Sequence, residues 1–346
     1  MKRIVFFIAL VLLSFSFAPI KKLSPYIFEA LFRFPNKIEN TENPITVKGA
    51  NLGKLLFYDT ILSQDYSMSC ASCHKQEFAF ADNVNFSQGI DSSLMTRNTM
   101  PLFNLAWYSS FFWDGRSSSI EDQVFVPVAA HNEMNLSWKE AAKRLNGNNL
   151  YQKEFKKVFG VSKIDSTHIA KAIAQFERTL ISNQSKYDRV IQGKDKFTAA
   201  ELNGFIIVND QSMGDCLHCH ITDAHALGTN GKFANNGLDS DYTLTDKGKF
   251  GFSKNEKDIG KFKIPSLRNI ALTAPYMHDG RFETLEEVLD FYSEGVQSSK
   301  YIDSKMQYAH QGGVQLSDKD KKDVIAFLKT LTDSVFIQNP EFLSPY

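Results

Sequence analysis

Two short stretches decide the interpretation of this sequence: Cys70-Ala71-Ser72-Cys73-His74 and Cys216-Leu217-His218-Cys219-His220. Each is a Cys-x-x-Cys-His motif, and together they contain all four cysteines of the chain. This spacing is typical of c-type haem attachment, in which both sulfurs form thioethers with the porphyrin and the adjacent histidine ligates the iron. The sequence therefore predicts two covalently bound haem c groups, attached through Cys70, Cys73, Cys216 and Cys219, with His74 and His220 as iron ligands.

Other uses of paired cysteines fit less well. A four-cysteine zinc site places its two pairs roughly 15–20 residues apart, whereas well over a hundred residues separate these pairs. A thioredoxin-like redox pair needs a βαβ context, and none is visible near either motif. Because each pair is followed directly by a histidine, haem attachment explains more of the pattern than a disulfide does.

Length and charge narrow the class of protein. A chain of 346 residues is long enough for two domains of ordinary size. Lys plus Arg and Asp plus Glu both number 39, so the formal net charge is zero. Such a balance provides no broad positive field, and we expect no nucleic-acid partner.

The N-terminus predicts export. Met1-Lys2-Arg3 is followed by an apolar run that ends at Ala18, which is the pattern of a secretory signal peptide over residues 1–18. An uncleaved membrane anchor is the alternative, although the run is shorter than the ~20 residues of a spanning helix. Either way we expect the folded part outside the cytoplasm, in the periplasm.

Helical signals dominate the rest of the chain, and strand-like alternation is nearly absent. Capping residues predict helix starts at Ser137, Thr198, Thr284 and Ser317. The predicted fold class is all-α, with two haem domains and long loops. The predicted segments after the signal peptide are a connector (19–46), an N-terminal haem domain (47–190), a C-terminal haem domain (191–335) and a tail (336–346).

Several further stretches resemble the bacterial dihaem cytochrome c peroxidase / MauG family and follow its order. They are Leu52-Gly53-Lys54-Leu55-Leu56-Phe57, Arg97-Asn98-Thr99, Trp113-Asp114-Gly115-Arg116, Pro265-Ser266-Leu267-Arg268-Asn269 and Thr273-Ala274-Pro275-Tyr276-Met277-His278-Asp279-Gly280. The resemblance covers about residues 45–332. It implies two cytochrome-c-like domains, in which the N-terminal haem reacts with peroxide and the C-terminal haem supplies electrons.

The resemblance implies an enzyme that reduces hydrogen peroxide to water with electrons from a small periplasmic donor, a cytochrome c or a cupredoxin. One alternative is a MauG-like enzyme that oxidises a partner protein at long range. Another is a dihaem electron carrier with no substrate of its own. The sequence leaves open whether the chain forms a homodimer.

The resemblance also implies roles for individual side chains. Glu121 falls on the position expected for the catalytic acid/base, although a glutamate early in a helix also interacts favourably with the helix dipole. Arg116 and Arg268 fall where a guanidinium would contact haem propionates, with surface ion pairs as the alternative. Asn98, Thr273 and Pro275 fall on positions for a calcium ion bound between the domains, with ordinary loop turns as the alternative.

The sixth ligands of the two irons are predicted separately. Many family members block the N-terminal iron with a histidine, but that position is Ile90 here, so an open iron is expected. Met95 is the nearest substitute ligand.

For the C-terminal iron, Tyr292 and Met277 compete. Tyr292 is favoured, since the ligand position counted from Pro275 falls on it and a phenolate suits ferric iron.

Overall fold

The computed structural model describes residues 23–28, 31–222, 226–241 and 243–346. The predicted signal peptide lies outside these described residues. Within them, no helix is both long and apolar enough to cross a membrane.

The described chain is mostly helical, which confirms the predicted class. The α-helices are α1 (Val47–Tyr58), α2 (Cys70–Cys73), α3 (Ile120–Ala129), α4 (Trp138–Asn146), α5 (Asn149–Phe159), α6 (Ser166–Glu177), α7 (Lys186–Ile191), α8 (Ala199–Asn209), α9 (Phe250–Ser253), α10 (Leu285–Asp290), α11 (Asp318–Thr330) and α12 (Ser334–Ile337). Short 3-10 segments include Cys216–His218 at the second motif. Helix α10 continues as one π-helical turn, Phe291–Gly295.

The capping residues start helices as expected. Ser137, Thr284 and Ser317 each accept a hydrogen bond from a backbone N–H of the first turn that follows. Thr198 forms a complete capping box with Glu201 at the start of α8. These caps satisfy backbone donors that have no partner inside the helix.

The first hydrophobic core lies between α1 and α3–α6. Helices α1 and α6 touch closely because Gly53 has no side chain: a Cβ there would come within 2.0 Å of the Ala172 carbonyl oxygen. The tail belongs to this core, since Phe336 and Phe342 are buried in it. The Tyr58 hydroxyl also donates to the Phe342 carbonyl at 2.6 Å.

The second core forms around the pair α8 and α11. It includes Tyr187, so the packing changes from the first core to the second near this residue. A smaller cluster contains Phe291, Val296 and Ala309 and packs against Met277 and Tyr292. The domain boundaries themselves stay predictions.

A small two-stranded antiparallel sheet in the C-terminal half contacts the N-terminal half. Strand β1 (Phe233–Ala234) pairs with β2 (Phe262–Lys263). Among the described residues, these two strands form the only sheet. The backbone N–H of Lys263 donates to the Trp113 carbonyl at 2.7 Å, so β2 lies directly against the segment after the first motif. This contact positions the wall of the cavity described next.

Candidate functional site

The first Cys-x-x-Cys-His motif forms helix α2 and ends at His74. The imidazole Nδ1 of His74 lies 2.7 Å from the Phe80 carbonyl oxygen, to which it donates in the Nδ1–H tautomer. That tautomer leaves Nε2 with a free lone pair, which is the usual arrangement for a metal-ligating histidine. Burial lowers the pKa of His74, so the ring is kept neutral, as a metal ligand must be.

A cavity of about 1100 Å³ opens beside His74. Its walls come from both halves of the chain, with Leu102 and Phe111 on one side and Lys263 and Ser266 on the other. An adjoining cavity of about 90 Å³ is lined by Cys70 and Cys73 and shares His74 with the larger one. A large space with one neutral imidazole and two cysteines at its edge fits a covalently attached haem.

Besides His74 and Thr99, the polar side chains that line both cavities are Gln123, Glu133 and Glu177. Burial raises the pKa of Glu133, while the charge of Arg116 acts in the opposite direction. Burial also raises the pKa of Glu177 to about 8, and its Oε2 has no hydrogen-bond partner. Perturbed carboxyl groups in a cavity are typical of functional sites.

Sequence reasoning missed these three residues. Gln123 lies on the same face of α3 as Val126, Pro127 and Ala130, which also line the cavity, so helical spacing could have identified it. Glu133 follows the end of α3, in a turn whose sequence carries no comparable signal. Its exposure to the cavity depends on how that turn packs.

Glu121 is not among the residues that line the cavity. Its carboxylate forms a bidentate ion pair with Arg178, with distances of 2.7 and 2.6 Å, and accepts from Asn43 Nδ2 at 2.6 Å. Burial alone would raise the pKa of Glu121, but Arg178 and Asn43 hold it below its usual value. The predicted acid/base role is not supported by this position, because Glu121 is two residues from Gln123 on α3 and points toward α6.

Arg116 lies at the cavity wall, as a propionate contact would require. Its guanidinium stacks 3.5 Å from the Phe112 ring centroid and pairs with Asp114 at 3.0 Å. Arg97 links the same Asp114, at 2.8 Å, to Asp246, at 2.7 Å. The two guanidinium groups therefore share Asp114, and Arg97 alone reaches Asp246 in the other half of the chain.

At the second motif, burial lowers the pKa of His220 to about 4. The carbonyls of Gly228 and Pro265 face its ring, but neither makes a hydrogen bond of regular geometry to Nδ1. Arg268 is fully buried and pairs with both oxygens of Asp188. Its charge is thus already compensated, and only its Nε lacks a partner.

The two candidate ligands of the second iron lie together. Tyr292 is in the π-helical turn, and its hydroxyl oxygen accepts from Asn236 Nδ2 at 3.0 Å. The same Nδ2 is 3.7 Å from the sulfur of Met277. Burial raises the pKa of Tyr292 to about 12, and the bond from Asn236 acts in the opposite direction. Asn236 was not predicted from the sequence.

The residues predicted for calcium come from neighbouring segments. The backbone N–H of Asn98 donates to the His278 carbonyl at 2.7 Å, and Asn83 Nδ2 donates to the Ala274 carbonyl at 3.1 Å, between Thr273 and Pro275. The described residues contain no metal-binding cluster of three or more His, Cys, Asp or Glu. The predicted calcium ligands are amide and carbonyl oxygens instead.

The resemblance places the blocking position of the N-terminal iron at Ile90, and Met95 is the nearest substitute ligand. Ile90 does not line the cavity, whereas Met95 does, with its sulfur 3.7 Å from Asn132 Nδ2. His131 has an exposed side chain beside Asp91. Among the described residues of the cavity wall, His74 is the one histidine.

Comparison with known proteins gives consistent matches. The family described as "Di-haem cytochrome c peroxidase" matches residues 47–196. Methylamine utilization protein MauG of Methylorubrum extorquens is 34% identical over 306 residues, which is 88% of this chain and 84% of that protein. Cytochrome c551 peroxidase of Nitrosomonas europaea is 33% identical over 303 residues, which is 86% and 82%. The crystal structure of a MauG-like protein associated with microbial copper homeostasis has a TM-score of 0.84 and 32% identity, covering 92% of this chain and 99% of that one.

The ion pair of Glu121 predicts a stability effect. We expect Glu121→Ala to lower the free energy of unfolding by about 3 kcal/mol, because Arg178 is left buried without its partner. The measurement is denaturant unfolding of the haem-loaded protein. The matched control is Glu154→Ala, which removes an exposed pair with Lys157 and should cost less than about 1 kcal/mol.

The same variant has a predicted pH dependence. The folded-state pKa of Glu121 lies below its unfolded value, so its contribution is complete above the unfolded pKa and is lost as the pH falls through the folded one. The stability difference between wild type and Glu121→Ala should therefore shrink in acid. A difference that stays constant down to pH 3 would contradict this assignment.

Proposed function

Because the chain belongs to the di-haem cytochrome c peroxidase family, we propose that it reduces hydrogen peroxide to two waters, using two protons and two electrons from a small donor protein. Relatives of both kinds, named peroxidase and named MauG, match most of the chain. The observation that carries the peroxidase proposal is the cavity beside His74, which is lined by a half-buried carboxyl group, Glu133, and an amide, Gln123.

We assign the acid/base role to Glu133. A haem held at His74 would supply the iron at which peroxide is reduced. The carboxylate of Glu133 would accept a proton from one oxygen of hydrogen peroxide and donate it to the other oxygen, which leaves as water. A group with a pKa raised toward neutral can do both. The amide of Gln123 can donate to one peroxide oxygen and accept from the other.

This assignment predicts that variants of two glutamates differ in peroxide turnover. Glu133→Gln should lower peroxide turnover by about 10²–10⁴-fold, the usual range for a lost acid/base, with both haem spectra unchanged. Glu121→Gln, in α3 and outside the cavity, is the matched control and should retain most of the turnover. A loss in Glu121→Gln alone would restore the role first predicted for Glu121.

We propose that both haems are covalently attached, through the two cysteines of each motif. The support is that Cys70 and Cys73 line the cavity that shares His74 and that a histidine directly follows the second cysteine of each motif.

Mass spectrometry after acid-acetone extraction tests the attachment. The mature chain should carry the mass of two haems, and Cys216→Ala should retain one covalent haem, since the first motif is intact. Extraction of both haems from wild-type protein would rule out thioether bonds.

We propose that the iron at His74 has an open sixth position. The support is that the described cavity wall contains no second histidine and that Met95 makes a contact with Asn132. The oxidised protein should then show a high-spin ferric signal by electron paramagnetic resonance and react with peroxide without prior reduction. A purely low-spin spectrum would indicate a ligand such as Met95, and Met95→Leu would identify it.

For the iron at His220 we propose Tyr292 rather than Met277 as the sixth ligand. The amide of Asn236 donates to the tyrosine oxygen, and such a donor stabilises the phenolate form that binds ferric iron. An anionic oxygen ligand should lower the potential of this haem. That would favour the second candidate function, oxidation of a partner protein at long range, over simple electron transfer.

The Tyr292→Phe variant decides between the two ligands. We expect loss of the low-spin bands of the C-terminal haem and a raised potential in redox titration, with little change in Met277→Leu. The reverse pattern would identify Met277 as the ligand and favour the ordinary peroxidase class.

We further propose a calcium ion bound by oxygens of Asn98, Thr273 and Pro275, supported by the hydrogen bonds that join these two segments and by the preference of calcium for such oxygens.

We propose a periplasmic location because residues 1–18 have the pattern of a signal peptide and c-type haem is attached outside the cytoplasm. The electron donor would be a cytochrome c or a cupredoxin.

A further inference from the structure

One buried charge in the large cavity has no role in the mechanism above. Lys263 is the last residue of β2, and only 5% of its surface is exposed. Lysine is almost never buried to this extent unless its charge is paired. Its position is fixed by the backbone bond to the Trp113 carbonyl.

The surroundings of the ammonium group are neutral. It donates to the Ser110 carbonyl and lies 4.3 Å from the ring centroid of Tyr108 and 5.4 Å from that of Phe111. Among the described residues no carboxylate pairs with it. Burial without a counter-charge lowers the pKa of Lys263 to about 8.

The three arginines near the cavity differ in this respect, and Lys247, which also lines the cavity, has an exposed side chain whose charge is solvated by water. Arg97 and Arg116 share Asp114, and Arg97 also binds Asp246. Arg268 is compensated by Asp188. An ammonium group has three N–H donors, and the contact with Ser110 uses one of them. Lys263 is therefore the buried cation of the cavity wall whose charge has no carboxylate partner and whose N–H donors are available for an anion in the cavity.

We propose that Lys263 is the counter-charge of a haem propionate. This inference rests on the proposed function only in that it requires the haems to be bound. A propionate is a carboxylate carried by the haem itself, so it enters the cavity together with the cofactor. Lys263 is two residues from Pro265, whose carbonyl faces His220, and it lines the cavity of His74. The propionate can thus come from either haem.

A positive charge beside a propionate disfavours the ferric state, which is more positive than the ferrous state. Lys263 should therefore raise the reduction potential of the haem whose propionate it contacts. Its location between the two haem sites makes it a positioning residue for the potential difference that drives electrons from one haem to the other.

The test is spectroelectrochemical titration of each haem in the fully loaded protein. Lys263→Met and Lys263→Gln should lower the midpoint potential of one haem, whereas Lys263→Arg should keep it near the wild-type value. Lys261→Met is the matched control, because this lysine lies on the same segment and its Nζ forms an ion pair with Asp258 Oδ1 at 3.9 Å. The haem that shifts identifies the source of the propionate. Resonance Raman propionate bending bands should move in the same haem.

Three results would overturn the proposal. Unchanged potentials of both haems in Lys263→Met and Lys263→Gln would show that the charge faces no propionate. Equal shifts in Lys263→Arg would indicate packing rather than charge. A wild-type potential that depends on added phosphate or chloride, with that dependence lost in Lys263→Gln, would identify a solution anion. Wild-type peroxide turnover, measured separately, tests the proposed function, which can fail while the Lys263 shift remains.

Discussion

The arrangement of the first site depends on one hydrogen bond, between His74 Nδ1 and the Phe80 carbonyl. The carbonyl is held in place because Ala79 and Phe80 both adopt left-handed backbone conformations, which cost roughly 1–2 kcal/mol each for residues with a side chain. The fully buried Phe80 ring contacts Phe57, Phe336 and Phe342. Aromatic packing thus compensates the backbone cost and fixes the ligand orientation.

This packing explains why the tail matters for the first site. Phe336 and Phe342 come from the end of the chain, more than 250 residues after the motif, and still form part of the first core. Gln76, at the turn before Phe80, donates to the Asn339 carbonyl at 2.9 Å. The C-terminal segment is therefore a structural part of the N-terminal haem site, although the sequence suggested a separate tail.

The sequence predicted the parts of the site that depend on local spacing. Both motifs, the helix caps and the all-α class follow from patterns within a few residues, where covalent and hydrogen-bonding geometry leave few alternatives. The acid/base role of Glu121 stays a prediction, and family position alone did not show that its carboxylate pairs with Arg178 away from the cavity. Glu133 and Lys263 were missed because their places in the cavity wall depend on contacts with distant segments. The boundaries of the domains remain predictions.

The charged groups around the cavity are of two kinds: those paired within the protein and those without a partner in the chain. Arg97, Arg116 and Arg268 are compensated by carboxylates within the chain whether or not a haem is bound, and Arg97 joins the two halves through Asp246. Glu177 and Lys263 are buried and Glu133 is half-buried without such partners, and their unfavourable desolvation is explained best by groups that enter the cavity. Because the junction is held by Arg97 and by the bond between Lys263 and Trp113, the separation of the two haem sites is set by the fold. The direction and energy of electron transfer between them must then depend on what each iron and each propionate contacts. Under the proposals made above, the choice between peroxidase and long-range oxidant would lie in a few side chains, Tyr292 and Lys263 above all, because relatives named peroxidase and relatives named MauG both match most of the chain.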